Sequence, residues 1–324
     1  MIYSDAYRSA MNTLALGMYH QRRGEALKLP FTRFERKSTI EDATYIYDSN
    51  DLDPWLTSRR DWSDGIKYPT TLEGQKVEIS GGHMDAGDYS PYTYNSAMTA
   101  WTLITTLDVF GSRVEHDNLG VPESGDGVSD LLQEFLIEIN WLKDMQDPTD
   151  GGVFGMSKPK GMSYQSTMTG EDENLQRYLA PKDTTVTAGY AAALARASRS
   201  RVLQKYDKEL ATLLGKRAIK AWEWLLQNDG MHGYHHYGQS NGDDGDEGHE
   251  HARAWASIEL YALTGEQKYH DAFVQYHRPL LRNDGVYWLN EGYGYTTRTL
   301  ALWDRDGMTK SSSTHETTIT KISP

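Results

Sequence analysis

The sequence predicts an all-α fold in which helical hairpins are arranged as a toroid. Apolar residues recur every three or four positions in six segments, which is the period of a helix with one buried face. No series of segments shows the two-residue alternation of strands, and no fixed sequence period indicates a helical repeat protein. With 324 residues the chain is long enough to bury a large core, and we interpret it as one main domain.

The clearest predicted helix covers residues 127–146. Its apolar positions step by three or four along the segment: Val128, Leu131, Leu132, Phe135, Leu136, Ile139, Leu142 and Met145. Weaker helical patterns occur at 6–21, 96–110, 184–202, 206–226 and 250–263. The loops at 25–79 and 152–181 are too long to be simple connections, so they are candidates for a binding function.

Composition excludes several classes of partner. The formal net charge of −13 disfavours duplex nucleic acid and anionic membrane surfaces, because both are negatively charged. No apolar run is long enough to cross a bilayer. The chain has no cysteine, which excludes disulfides and thiolate metal ligands. Its 21 Tyr and 9 Trp provide rings that suit stacking against sugars as well as packing between helices.

The first residues predict an amphipathic helix. They lack the basic start and the uninterrupted apolar segment of a secretory signal peptide. An export signal is therefore either outside this sequence or not used, and the compartment stays open, as does the oligomeric state.

The most informative segment is 81–89, which reads Gly-Gly-His-Met-Asp-Ala-Gly-Asp-Tyr. It places Asp85 and Asp88 three residues apart in a glycine-rich loop just before a predicted helix. Because glycines allow a tight backbone path, both carboxylates can converge on one point. Converging carboxylates can hold and deprotonate an attacking water, as an inverting glycosidase requires. Asp and Gly are also common in ordinary turns, so the spacing alone leaves a structural turn as an alternative.

Motifs in the same order along the chain resemble those of glycoside hydrolase family 9. The segment 81–88 is similar to the hallmark G-G-x-x-D-A-G-D of that family. The other similar pieces are 19–24 (Y-x-Q-R-x-G), 126–147 (P-D-L-L-D-E and W-L-L-K-M-Q-D), 151–154 (G-G-V-Y), 171–188 (P-E-D, E-R-Y and S-T-T-A-T-A) and 255–265 (W-A-A-A-E-L-Y-x-A-T-G). The pieces in 171–188 resemble members that carry an immunoglobulin-like module ahead of the catalytic domain.

The resemblance implies an (α/α)6 toroid with an open cleft and hydrolysis of a glycosidic bond with inversion. Asp88 matches the general base of the family, and Asp85 matches its partner in positioning the water. The implied substrate is a β-1,4-glucan, cut as by an endoglucanase or cellulase. Two alternatives stay open. One is an exo-acting β-glucosaminidase or β-glucosidase on oligosaccharides, since an acidic site would attract a cationic sugar. The other is a non-catalytic carbohydrate-binding pseudo-enzyme.

The general acid of the family has no match in this chain. That acid is a Glu in an N-E-x-x-x-x-Y-N-A segment, preceded by a P-H-H-R loop, near the end of a longer domain. The pair Asn290-Glu291 follows the 255–265 segment too closely for this role, so we expect Glu291 to be a loop carboxylate. We therefore expect a C-terminally truncated catalytic domain at 1–309, an incomplete toroid and an unstructured tail at 310–324.

Aromatic residues around the carboxylate loop are candidate sugar contacts. They are Tyr89, Tyr92 and Tyr94 beside the loop, and Trp55 and Trp62 in the long segment before it. Packing is the alternative for each of them. The usual G-G-W-x-D of the family is changed here, with histidine at position 83 and methionine at position 84, which alters the surroundings of the base.

No cofactor is expected to be required, and calcium is the metal to consider. The D-E pair that helps to hold calcium in many relatives is His251 and Ala252 here. The acidic run 241–247 could supply oxygen ligands to calcium instead, although a solvated acidic loop is the simpler interpretation. The histidines near this run lack the fixed ligand spacing of a zinc site.

Overall fold

The structure is a computed structural model that describes residues 7–37, 43–46, 71–72, 74–85, 91–114, 117–159, 177–179, 182–228 and 245–280. Within these ranges the helices are α1 (Arg8–Gln21), α2 (Thr93–Phe110), α3 (Asp130–Asp144), α4 (Thr184–Ser198), α5 (Arg201–Tyr206), α6 (Lys208–Gln227), α7 (Gly245–Thr264) and α8 (Gln267–Leu280). Each of the six predicted helical segments coincides with one or two of these helices. The predicted all-α fold class is therefore confirmed.

Side-chain caps begin several of these helices. Ser129 accepts a hydrogen bond from the backbone N–H of Leu132 at the start of α3, and Asp183 caps α4 in the same way through Val186. A further cap, Ser200, begins α5 only two residues after α4 ends. The segment 184–202, predicted as one helix, is therefore two helices with a break at this cap.

Helix α4 lies at the centre of the packing. It packs against α2 on one side and α7 on the other, and each of these three helices carries an outer partner: α3 on α2, α6 on α4 and α8 on α7. Every residue of α4 except Thr185 is buried. Small residues make this close approach possible, since six of its fifteen residues are alanine and Gly189 faces the ring of Tyr94. These six helices therefore form an inner row and an outer row that share a large apolar core.

Helix α8 was not predicted from the sequence. It follows α7 after only two residues, where Gly265 adopts a φ of +72°, so α7 and α8 form a helical hairpin. Its buried residues Tyr269, Phe273 and His277 are spaced by four and face α7. The helical period is thus present in this segment of the sequence.

A small four-stranded sheet was also not predicted. Its strands are β1 (Ala43–Ile46), β2 (Lys76–Glu78), β3 (Ser157–Pro159) and β4 (Arg177–Leu179), in the order β2-β1-β4-β3. The central pair β1 and β4 is parallel, with Tyr45 opposite Tyr178, whereas the two outer pairs are antiparallel. Strands of three or four residues are too short for a two-residue period to be recognised. The sheet joins the long loops that precede α2 and α4.

None of the helices in the described part of the chain combines the length and the apolar character needed to cross a membrane.

Candidate active site

The segment 79–85, which carries Asp85, is attached to the end of α1 by backbone hydrogen bonds. The N–H of Arg23 donates to the carbonyl of Gly82 at 2.8 Å, and the N–H of Met84 donates to the carbonyl of Gln21 at 2.8 Å. The two segments thereby form an isolated antiparallel bridge between Arg22 and His83. These bonds fix the path of the backbone just ahead of Asp85.

Gly82 brings the same segment against helix α3. Its φ is +72°, and a Cβ atom added there would lie 2.9 Å from Cγ of the buried Trp141. A side chain at this position would therefore meet both backbone strain and a clash with an indole ring. The second glycine of the motif is thus required by the close contact between the loop and α3.

The next residue, His83, makes charged contacts to α3. Its imidazole bonds through Nδ1 to Oε2 of Glu138 and through Nε2 to Oε1 of Glu134, the latter at 2.5 Å. The two glutamates are four residues apart on α3 and both are buried, so one ring spans two successive turns of the helix. Since carboxylates accept, both ring nitrogens must donate, and the ring is an imidazolium.

Arg22 completes this group, which we name the His83 cluster (Arg22, His83, Glu134 and Glu138). The Arg22 guanidinium binds Oε2 of Glu134 at 2.5 Å and Oε1 of the half-buried Glu123 at 2.8 Å. Two buried cations and two buried carboxylates balance each other within the cluster. Such compensation is what makes buried charge tolerable.

The pKa values of His83 and Glu134 favour their charged forms. Burial alone would lower the pKa of His83, but the charge of Glu138 and the hydrogen bonds to both glutamates raise it to about 10. Burial alone would raise the pKa of Glu134, but hydrogen bonds from His83 and Arg22 outweigh burial and hold it below its usual value. His83 and Glu134 therefore stay ionised at neutral pH.

Asp85 is exposed to solvent and lies two residues beyond His83. Its Oδ1 accepts a hydrogen bond of 2.5 Å from Nδ2 of Asn95, a residue in the first turn of α2. The positive end of the helix dipole favours a carboxylate near such a terminus. An exposed carboxylate with a fixed direction is suited to orient a water molecule. The second predicted carboxylate, Asp88, lies outside the described residues, so its distance from Asp85 stays a prediction.

The predicted aromatic contacts fall in different places. Tyr92 immediately precedes α2 and is only 6% exposed, so little of its ring is available to a sugar. Tyr94 packs edge-on against the buried Trp255 with ring centroids 6.3 Å apart. Of the two interpretations of this residue, sugar contact and packing, this contact supports packing. The other three, Tyr89, Trp55 and Trp62, lie outside the described residues.

The described ranges contain no group of three or more His, Asp or Glu side chains that could hold a metal ion. His251 and Ala252, which stand where many relatives have a calcium-binding pair, are both buried on α7. The side chains of the acidic run 241–247 lie outside the described residues, as do Glu291 and the segment 310–324. Calcium binding in that run stays a prediction.

The His83 cluster was not found by sequence reasoning. Glu134 and Glu138 are polar positions within the strongest predicted helix, and both turn out to be buried. A pair of acids four residues apart among buried positions is a signal that could have prompted a search for buried cations. The sequence does not show which cations these are, because Arg22 and His83 are 112 and 51 positions away from Glu134.

Comparison with known proteins gives consistent results. The family model of glycosyl hydrolase family 9 matches residues 7–321. Endoglucanase D of Acetivibrio thermocellus is 27% identical over 270 residues, which is 83% of this chain and 39% of that protein. A cellulose 1,4-beta-cellobiosidase of Acetivibrio thermocellus is 26% identical over 284 residues, covering 83% of this chain and 31% of that protein. A metagenome-derived family 9 endoglucanase structure superimposes with a TM-score of 0.70 at 26% identity, covering 91% of this chain and 49% of that one.

The helical architecture and these matches define the (α/α)6 fold class of the solved family 9 structures. The chain belongs to glycosyl hydrolase family 9. It spans 39% of the length of the first of these curated relatives and 49% of that of the solved structure.

Proposed function

We propose that this chain carries the water-activating half of an inverting β-1,4-glucanase site, in which Asp88 is the general base and Asp85 orients the water. The observation that carries the proposal is the exposed Asp85 carboxylate, held by Asn95 at the start of α2 and preceded by a segment whose backbone is bonded to the end of α1. Membership of family 9 and the endoglucanase and cellobiosidase among the relatives support a β-1,4-glucan as the substrate.

The proposed chemistry divides into two halves. A general base removes a proton from water on one side of the sugar while a general acid protonates the leaving oxygen on the other. A glycosyl fluoride needs no proton on its leaving group, so its hydrolysis reports the base half alone. The first measurement is therefore fluoride release from β-cellobiosyl fluoride. The second is the hydrolysis of a soluble β-1,4-glucan.

The test compares Asp88→Asn and Asp85→Asn with Asp271→Asn, an exposed aspartate on α8 that serves as the matched control. Loss of a general base typically costs about 10²- to 10⁴-fold in rate, so Asp88→Asn is expected to reduce fluoride release by that factor. Asp85→Asn should reduce it by a smaller factor, and Asp271→Asn should leave it unchanged. Proton NMR should show the α-anomer as the first product, as inversion requires.

Two results would contradict the proposal. One is fluoride release that is equal in the wild type and in folded Asp88→Asn. The other is a first product with the β configuration. Glu291→Gln is expected to leave the rate of hydrolysis of both substrates unchanged. A selective loss of glucan hydrolysis in that variant would identify Glu291 as the general acid.

Exo-action is a second candidate that one relative favours, since a cellobiosidase is among the matches. Endo-action lowers the viscosity of a soluble glucan early, whereas exo-action releases short sugars with little change in viscosity. Measuring viscosity and reducing ends on the same sample separates the two modes.

A further inference from the structure

The bonds that the structure describes for the His83 ring go to helix α3, yet His83 lies only two residues before Asp85. Its ring bonds to Glu134 and Glu138, both buried on α3. The backbone around it bonds to the end of α1 through Gly82 and Met84. The loop is therefore attached to α1 by its backbone and to α3 by the His83 ring.

The attachment through the His83 ring constrains the loop more than the attachment through the backbone does. The backbone bridge consists of two ordinary hydrogen bonds, at 2.8 Å each, between one loop and the end of a helix. The ring bridge joins the loop to two successive turns of a helix that belongs to the main core, through two charge-assisted bonds. A planar ring held at both nitrogens cannot rotate or slide along α3 without losing one of the two bonds.

We propose that His83 is a positioning residue, whose imidazolium fixes the segment 79–85 on α3 and so sets the position of Asp85. The effect of this positioning on catalysis rests on the proposed function. Asp85 follows after a single intervening residue, and its carboxylate is only 2.5 Å from Nδ2 of Asn95. Because α2 and α3 pack directly on each other, the position of the loop on α3 determines whether this hydrogen bond can form.

Glu138 makes a clean test possible. The contacts that the structure describes for its carboxylate are to His83, so His83→Gln leaves a buried charge without its cation. The double variant His83→Gln/Glu138→Gln removes that charge as well. Comparing the single and double variants separates the cost of an uncompensated charge from the loss of the ring as an anchor.

The first readout does not need activity. In protein labelled with ¹⁵N-asparagine, the side-chain amide of Asn95 reports its bond to Asp85, and Asn95→Ser assigns its signal. In both His83→Gln and the double variant, we expect the chemical shift of this signal to change to the value that it has in Asp85→Asn. Asp108→Asn, which breaks a buried ion pair near the opposite end of α2, should leave the signal unchanged.

The second readout is the division between kcat and KM for β-cellobiosyl fluoride. Displacement of a catalytic group by about 1 Å can cost on the order of 100-fold in rate, so kcat should fall by about 10- to 100-fold in both His83 variants. KM should stay within about twofold, because the buried His83 ring is not itself available to bind a sugar. A purely structural role would instead let kcat recover together with thermal stability in the double variant.

A folded double variant with the wild-type Asn95 signal and the wild-type kcat would overturn the proposal. If the wild type releases no fluoride, the proposed function fails, whereas the Asn95 signal still decides whether His83 positions Asp85. If His83→Gln does not fold, the same two readouts on the double variant decide the question.

Discussion

Two buried charge clusters can be compared within the described residues, and they connect different kinds of structure. The His83 cluster joins a loop and the end of α1 to helix α3. A second cluster, which we name the ring cluster (Asp108, Arg196, Arg199 and Glu259), joins inner helices to each other. Arg196 binds Asp108 at 2.9 Å between α4 and α2, and Arg199 binds Glu259 at 2.7 Å between the end of α4 and α7.

The surroundings of the two clusters differ. The helices joined by the ring cluster are already in contact through a large apolar core that includes Trp101, Trp255 and the alanines of α4. The indole of Trp101 even donates to Glu259 at 2.5 Å, so the apolar and charged contacts share residues. The segment joined by the His83 cluster, residues 79–85, contributes Ile79 to that core, and its Gly82 lies against Trp141. The same chemistry therefore joins core helices in one region and, in our proposal, positions the segment that carries Asp85 in the other.

The largest effect on stability is expected from the apolar core between the inner helices. Trp255 is fully buried and lies edge-on to both Tyr94 and Trp101. Trp255→Ala should lower the free energy of unfolding by about 3–5 kcal/mol, because it removes a large buried side chain and leaves a cavity. Urea denaturation followed by far-ultraviolet circular dichroism measures this. A loss below about 1 kcal/mol would show that the inner helices do not depend on this contact.

A pair of matched variants separates the two clusters. Glu134→Gln and Glu259→Gln each remove one buried carboxylate and leave the cations bound to it with less compensating charge, which should cost about 3 kcal/mol of stability in both cases. Hydrogen exchange should distinguish them. The amides of Arg23 and Met84 should exchange faster only in Glu134→Gln. Equal exchange in both variants would remove the distinction between a loop cluster and a ring cluster.

Two buried histidines are expected to respond to pH in opposite directions. The pKa of His83 is raised to about 10, so below the unfolded value of about 6.5 its contribution to stability is fully present. As the pH rises from about 6.5 through 10, the unfolded state binds fewer protons than the folded state, and this contribution is lost. The expected slope is up to about 1.4 kcal/mol per pH unit, and the slope should be absent in His83→Gln.

His251 has the opposite shift. Burial, together with the nearby His277, lowers the pKa of His251 to about 4. Between about pH 6.5 and 4 the unfolded state therefore binds more protons than the folded state, and stability falls as the pH falls. Unfolding curves at about pH 7, 6 and 5 measure this acid-side loss, which should be on the order of 1–2 kcal/mol by pH 5. His251→Gln should flatten it, and an unchanged slope in that variant would assign the loss to other groups.

The smallest effect is expected at an exposed ion pair. Lys268 binds Glu266 at 2.8 Å near the start of α8, and about half of each side chain is exposed to solvent. Solvent-exposed pairs contribute roughly 0–1 kcal/mol, so Lys268→Ala should change stability by less than about 0.5 kcal/mol. Thermal unfolding checks this, with Trp255→Ala as the reference for a large change. A loss as large as that of Glu259→Gln would contradict the view that burial gives the clusters their importance.

The sequence predicted the helices well because their signal is local. In α3 the three- and four-residue steps correctly identified the buried Leu132, Phe135, Ile139 and Leu142. The ordered motifs also identified the family, which the family model confirms over residues 7–321. Asp85 was placed correctly in a loop just before a helix, and its role as the partner of Asp88 stays a prediction.

The sequence by itself thus determined the helical periods, the order of the family motifs and the glycine-rich loop, since each depends on residues that are close along the chain. Only the tertiary structure decided which buried charges pair, because Arg22, His83 and Glu134 meet from three distant segments. It also decided that strands of three or four residues join two long loops, since such short strands are stabilised by partners far away in the sequence. The physical reason is that local spacing sets backbone conformation, whereas the balance of buried charge depends on contacts that form when distant segments pack together.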